Sequence, residues 1–95
     1  MTTATITNLR GANERVTLPA PLWIGRHPIS AGVKLCAIYR GPRTGRMFVH
    51  TDSIWENRLT HRCEGDRWTE VSADEYLHYC NLVDVEPAGV TPANV

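Results

Sequence analysis

Four side chains of the zinc-binding type recur at one spacing, His61 and Cys63 and then His78 and Cys80. Structural zinc takes such a set in a tetrahedron. On a strand His61 and Cys63 face the same way, but on a helix residues two apart lie about 200° apart. His78 and Cys80 fall in a helical stretch, so they do not converge on one ion. The sequence therefore implies no metal site and no cofactor. His50, Asp52 and Ser53 offer a base, a carboxylate and a hydroxyl within one short span. His50 and Asp52 share a strand face, where the carboxylate could orient the imidazole for a hydrolase or nuclease. Ser53 lacks the glycine elbow that presents a nucleophile at a sharp turn. Cys36 lies in a strand pattern with no local catalytic signature. No residue is assigned a catalytic role.

The strongest binding signal is basic. Arg40, Arg43 and Arg46 flank Gly41, Pro42 and Gly45 on a tight turn. Guanidiniums on a protruding tip can grip phosphates or an acidic protein surface. No Lys-Ser/Thr follows Gly45, so this is not a P-loop. Replacing all three arginines is expected to leave the fold intact. A second candidate surface is acidic: Glu64, Asp66, Glu70 and Asp74, with Glu75 beside them, could imitate a nucleic-acid backbone. Tyr79 is expected to lie off the helix's apolar stripe, exposed beside His78. Trp23, Trp55 and Trp68 read mostly as core.

The charges are sorted along the chain. Residues 1–50 hold seven cations (Arg10, Arg15, Arg26, Lys34, Arg40, Arg43, Arg46) against Glu14, and residues 51–95 hold three against nine carboxylates, giving +6 and −6. Either the halves fold against each other and cancel, or the protein shows one basic and one acidic surface to a charged partner. Nine of the ten basic residues are arginine, a bias of GC-rich coding sequence that suits a bacterial or bacteriophage source. The first residues show no signal-peptide pattern, and no apolar run approaches the ~18 residues of a membrane span. Three well-separated cysteines do not make a disulfide framework. Together these features imply a cytoplasmic protein.

The elements that must position these side chains follow from periodicity. Thr3–Leu9 and Arg15–Leu18 read as a hairpin around Gly11 and Asn13. Pro19 to Gly32 reads as an irregular extended crossing whose Leu22, Trp23, Ile24 and Ile29 lid the core. Val33–Arg40 is a strand with Val33, Leu35, Ala37 and Tyr39 on one face and Lys34, Cys36, Ile38 and Arg40 on the other. It returns through residues 41–45 as Arg46–Asp52. Asn57–Cys63 and Arg67–Val71 read as a further strand pair turning at Glu64, Gly65 and Asp66. Ser72 and Glu75 form a capping box, stapled by Val71 and Tyr76, for a helix from about Ala73 to Asn81 with Ala73, Tyr76, Leu77 and Cys80 inward. Val83 and Val85 suggest a brief edge strand.

These elements imply one α+β domain over residues 1–86, an antiparallel sheet of five to six short strands with one C-terminal helix, and a flexible tail over 87–95. The expected function is non-enzymatic binding to a macromolecular partner, protein or nucleoprotein, with no membrane. The size, arginine bias and missing catalytic motif suit a phage or mobile-element inhibitor of a host nucleic-acid machine, of the anti-CRISPR kind. The alternatives are a small nucleic-acid-binding module using Arg40, Arg43 and Arg46, and a hydrolase or nuclease using His50 and Asp52.

Overall fold

In a computed structural model, which describes residues 2–30, 32–41, 43–53, 56–57, 62–63 and 65–87, the apolar residues of the strands sort onto the two faces of one sheet. Its strands are β1 (Thr2–Thr7), β2 (Asn13–Leu18), β3 (Trp23–Ser30), β4 (Val33–Arg40), β5 (Met47–Ser53) and β8 (Asp66–Val71), in the order β2-β1-β8-β5-β4-β3. All pairings are antiparallel except β1 with β8, which is parallel. Two short strands, β6 (Glu56–Asn57) and β7 (Arg62–Cys63), pair with each other. The helix α1 (Ala73–Leu82) follows β8. This is the expected small α+β fold. Among the described residues no helix is long and apolar enough to cross a membrane.

Alternation along β5 explains the two-sided core. Val49 points to one face and Phe48 to the other, and both are buried. On Val49's side lie Leu35, Ile38, Val71, Tyr76 and Cys80, so α1 covers this face. On Phe48's side lie Ile6 and Leu18, with Ala4, Val16, Tyr39 and Trp68 packed around them. The β1–β2 hairpin thus covers the second face with its own apolar side. Fully burying one such side chain stabilises by about 1.5–3 kcal/mol, so both layers contribute to stability.

Leu35 and Ile38 show how this core overrides strict alternation. Simple pleating puts them on opposite faces, as the sequence reading did. The β4–β5 register shifts between Leu35 and Ala37, leaving Cys36 as an extra residue. Such a bulge re-aims everything after it, and Leu35 and Ile38 both join the helix-side cluster.

Three further expectations are corrected. The stretch read as an irregular crossing contains β3, an edge strand paired with β4 through two register shifts. Pro28 is tolerated because the strand lies at the edge, where a missing donor breaks no second ladder. Trp23 and Ile29 pack on the helix-side core, whereas Ile24 is 72% exposed. The Trp23 indole lies so close over Gly25 that a Cβ there would come within 2.5 Å of the ring. Second, β8 pairs with β5 and β1, while Asn57 and Arg62–Cys63, the described residues of the expected partner strand, belong to the β6–β7 pair; residues 58–61 lie outside the described residues. β8 lies between β5 and β1, where both faces of the strand are covered: Val71 joins the helix-side cluster and Trp68 packs on the other. Third, Val83 and Val85 form no strand. Val83 caps the helix, Asp84 takes a left-handed φ of 55°, and the Val85 amide donates to the Cys80 carbonyl at 3.0 Å. This six-to-one closure satisfies a terminal carbonyl and turns both valines onto the core.

The start of α1 matches expectation. Ser72 Oγ accepts from the Glu75 amide at 3.3 Å, and the Glu75 carboxylate accepts from the Ser72 amide at 3.3 Å. Val71 and Tyr76 are both buried in one cluster. Ala73 is exposed rather than inward; the buried stripe is Tyr76 and Cys80, flanked by half-buried Leu77, Tyr79 and Val83. Ser72→Ala removes one capping acceptor and is expected to cost about 0.5–2 kcal/mol in urea unfolding. An unchanged midpoint would show that the box adds nothing to the packing of the helix.

Candidate functional site

Arg46 precedes β5, and the turn before it fixes where its side chain goes. The Gly41 amide donates to the Arg46 carbonyl at 2.8 Å, and Thr44 Oγ1 accepts from the Arg46 amide at 3.2 Å. Gly45 sits at φ 72°, a conformation that a side chain would strain. From this turn the guanidinium reaches two carboxylates at once. Its Nη1 and Nη2 donate to Glu14 of β2 at 2.8 and 3.0 Å. Its Nε and Nη2 donate to Glu70 of β8 at 3.0 and 2.8 Å. Two edges of the planar fork are therefore filled by bidentate pairs, the strongest geometry available to arginine. The guanidinium carbon also lies 5.3 Å from the Phe48 ring centroid, in cation–π range.

The charges respond accordingly. The hydrogen bonds from Arg46, and then from Asn8, hold Glu14 at a pKa of about 2, well below its ordinary 4.5. Hydrogen bonding to Arg46 also lowers Glu70, and the two carboxylates raise Arg46. Arg46 is thus an internal clamp joining β2, β5 and β8. The expectation that removing Arg40, Arg43 and Arg46 together leaves the fold untouched does not fit this geometry. Arg40 is also drawn inward, with its Nη1 donating to the Gly41 carbonyl at 2.7 Å. Of the three arginines only Arg43, in the turn, is exposed.

The loop between β1 and β2 is built onto the same clamp. Asn8 Oδ1 accepts from the amides of Arg10 and Ala12, both at 3.0 Å, and Asn8 Nδ2 donates to Glu14 at 3.2 Å. The Leu9 amide donates to Glu70 at 3.4 Å. A hollow of about 370 Å³ lies here, lined by Asn8, Leu9, Arg10, Glu14, Arg46 and Glu70. Leu9 is 61% exposed beside it. The sequence reading missed Leu9 and Arg10; the signal was an asparagine four residues before Ala12, able to bond its own loop.

The acidic candidates are dispersed. Glu70 belongs to the clamp, Glu75 to the capping box, and Asp74 is exposed in the first turn of α1. Glu64 lies outside the described residues. Asp66 lies opposite Asp52 across β5 and β8, a like-charge pairing that each relieves elsewhere. Asp52 meets Arg26 at 3.5 Å, and Asp66 meets His50 Nε2 at 2.8 Å. His50 therefore takes its carboxylate from β8, not from Asp52, and its ring stacks on Trp68 with centroids 4.2 Å apart and planes 2° from parallel. Burial, and then the charge of Asp52, push the Cys36 thiol up, which works against a reactive thiolate.

Tyr79, expected to be exposed, is half-buried against the helix-side core, and burial raises its hydroxyl. His78 is exposed while Cys80 is fully buried, so the two diverge as the helical spacing requires. His61, Trp55 and residues 88–95 lie outside the described residues. The two charge halves interleave: β8 from the acidic half lies between β1 from the basic half and β5, which straddles the boundary. Compared with known proteins, the chain matches no protein family, no curated protein and no solved structure.

The clamp sets an acid limit on stability. A carboxyl whose folded pKa is depressed stabilises above its unfolded value and loses that contribution as pH falls through the folded value. The melting temperature is expected to be flat with respect to this clamp above pH about 4.5 and to drop between about 4.5 and 2. In Glu14→Gln the drop should shrink. An equal acid slope in that variant would show that the clamp is not the titrating element.

Proposed function

We propose that this chain is a non-enzymatic binding protein that docks on a protein or nucleoprotein partner through the end of the sheet where loop 8–12 meets the turn at 41–45. One observation carries the reading: Arg46, held by the turn at 41–45, ties loop 8–12 down through Glu14 and Glu70, Leu9 and Arg10 stand exposed at the clamp, and Arg43 of the turn is exposed as well. A rigid loop loses little conformational entropy on binding, which is the gain of a preorganised surface. Arginine is enriched among protein-binding hot spots, and exposed Leu9 adds an apolar contact beside Arg10. Bare phosphates would make no use of Leu9, and Arg46 has four donor contacts already committed to Glu14 and Glu70. Both points favour an acidic protein surface over nucleic acid. The small size and arginine bias are consistent with an inhibitor, of phage or mobile-element origin, that occupies a host nucleic-acid machine.

The test pairs capture from a lysate of the source organism with a gel shift on random-sequence duplex DNA and RNA at low salt. The reading predicts a captured protein that Leu9→Asp with Arg43→Glu loses, an unchanged melting temperature for that variant, and no mobility shift. Undiminished capture by the double variant would move the interface elsewhere. A shift whose logarithmic affinity falls steeply with salt would instead favour the nucleic-acid-binding alternative.

A further inference from the structure

The two edges of the sheet are built differently. At one, β3 pairs with β4 through two register shifts and carries Pro28, and both features discourage a further strand. At the other, β2 follows β1 through an unbroken register from Asn13 to Leu18, with no bulge and no proline. Among the described residues no strand lies beyond β2. Bonded and non-bonded pairs alternate in an antiparallel ladder, and here the Asn8 amide donates to the Ala12 carbonyl at 2.8 Å. From that bond onward Glu14, Val16 and Leu18 turn their backbone groups to β1, while Asn13, Arg15 and Thr17 turn theirs outward. These last three are the exposed residues of the strand. An inward-pointing charge commonly guards such an edge. Glu14 holds that position, but Arg46 neutralises it with bonds of 2.8 and 3.0 Å.

We propose that the open edge of β2 receives an extended segment of a protein partner as an added antiparallel strand, with a carboxylate side chain opposite Arg15 and an apolar one opposite Val16. This rests on the reading that the partner is a protein. Main-chain bonds to Asn13, Arg15 and Thr17 supply the affinity, and alternate side chains select the segment. Residues opposite each other on paired strands share a face. Arg15 stands exposed on the face turned away from Phe48, and among the described residues it makes no ion pair. A guest carboxylate there meets a cation across the strands. Val16 lies on the other face, half-buried against Ile6, Leu18 and Phe48, so an apolar guest side chain extends that cluster. Loop 8–12 leads directly into Asn13, and its exposed Arg10 adds a second cation at the docking end. A second copy of this chain fits less well. Two-fold pairing sets residues of one face opposite each other, and in the most extensive registers Arg15 meets its own counterpart or lies diagonal to it.

The experiment is an amide-shift titration of the whole chain with acetyl-Val-Thr-Val-Glu-Thr-Thr-amide, whose residues face Leu18 to Asn13 in order. The amides of Asn13, Arg15 and Thr17 are expected to shift. N-methylation of the peptide's Glu removes a donor aimed at β2 and should weaken binding by about tenfold or more. N-methylation of its second Val, whose amide turns away from β2, should leave binding nearly unchanged. Arg15→Glu should weaken it several-fold, and Lys in place of the peptide's Glu should restore it. Equal effects of the two methylations, shifts confined to loop 8–12, or no shift up to about 5 mM peptide would overturn the proposal. Amides of β2 that move with protein concentration alone would also overturn it, assigning the edge to a second copy of this chain. Lysate capture separates this failure from that of the docking end, because capture that still depends on Leu9 and Arg43 keeps the docking end when the peptide does not bind.

Discussion

A guanidinium held between two carboxylates from different strands is the interaction that the other parts of this protein depend on. Without it the β1–β2 hairpin is tied to the sheet by one parallel register position, the Leu9–Glu70 hydrogen bond and its apolar underside. Arg46 joins that hairpin, through Glu14, to β8, through Glu70, and lies over Phe48 at the centre of the contact. Ion pairs on protein surfaces usually contribute little, because long side chains lose entropy and water screens the charges. This one differs in being doubly bidentate and half-buried, with Glu70's side chain only 11% exposed. Its planar fork is nearly preorganised for both carboxylates.

The remaining structure shows how a small chain covers both faces of a sheet. A helix with capped ends shields one face and a hairpin shields the other, so β5 can be apolar on both sides. The bulge at Cys36 brings Leu35 and Ile38 to the same side, which plain alternation could not do. Charge is arranged to match. Asp52 and Asp66 oppose each other across adjacent strands, yet Arg26 and His50 give each its own partner. Strand order mixes the two charge halves, because β8 lies between β1 and β5.

Elements governed by neighbours in sequence were legible in the residues alone. The capping box of Ser72 and Glu75, the turn at residues 41–45 and the strand Val33–Arg40 all stand where local chemistry places them. What could not be read was set by distant partners. β8 looked like half of a local hairpin, but burial on both faces drew Trp68 and Val71 between β5 and β1. β3 looked irregular because Gly25 and Pro28 are poor strand residues, and an edge position with two register shifts accommodates them. Arg46 was singled out for the right reason, its capacity for bidentate contacts. Its partners turned out to be Glu14 and Glu70 of the same chain, separated from it by 32 and 24 residues. Leu9 and Arg10 went unnoticed because only the folded loop gives them a common setting with the clamp.

The central claim is that Arg46 fastens the β1–β2 hairpin to the rest of the sheet. Native-state hydrogen exchange on Arg46→Met tests it most directly, since the substituted side chain keeps an unbranched stem and loses the guanidinium and its charge. Local opening has its own free energy, separable from global unfolding. The account predicts that amides of β1 and β2 lose protection by about tenfold or more while those of β4 and β5 keep theirs, because only the hairpin is released. Protection that is unchanged in the hairpin, or lowered equally in every strand, would contradict it.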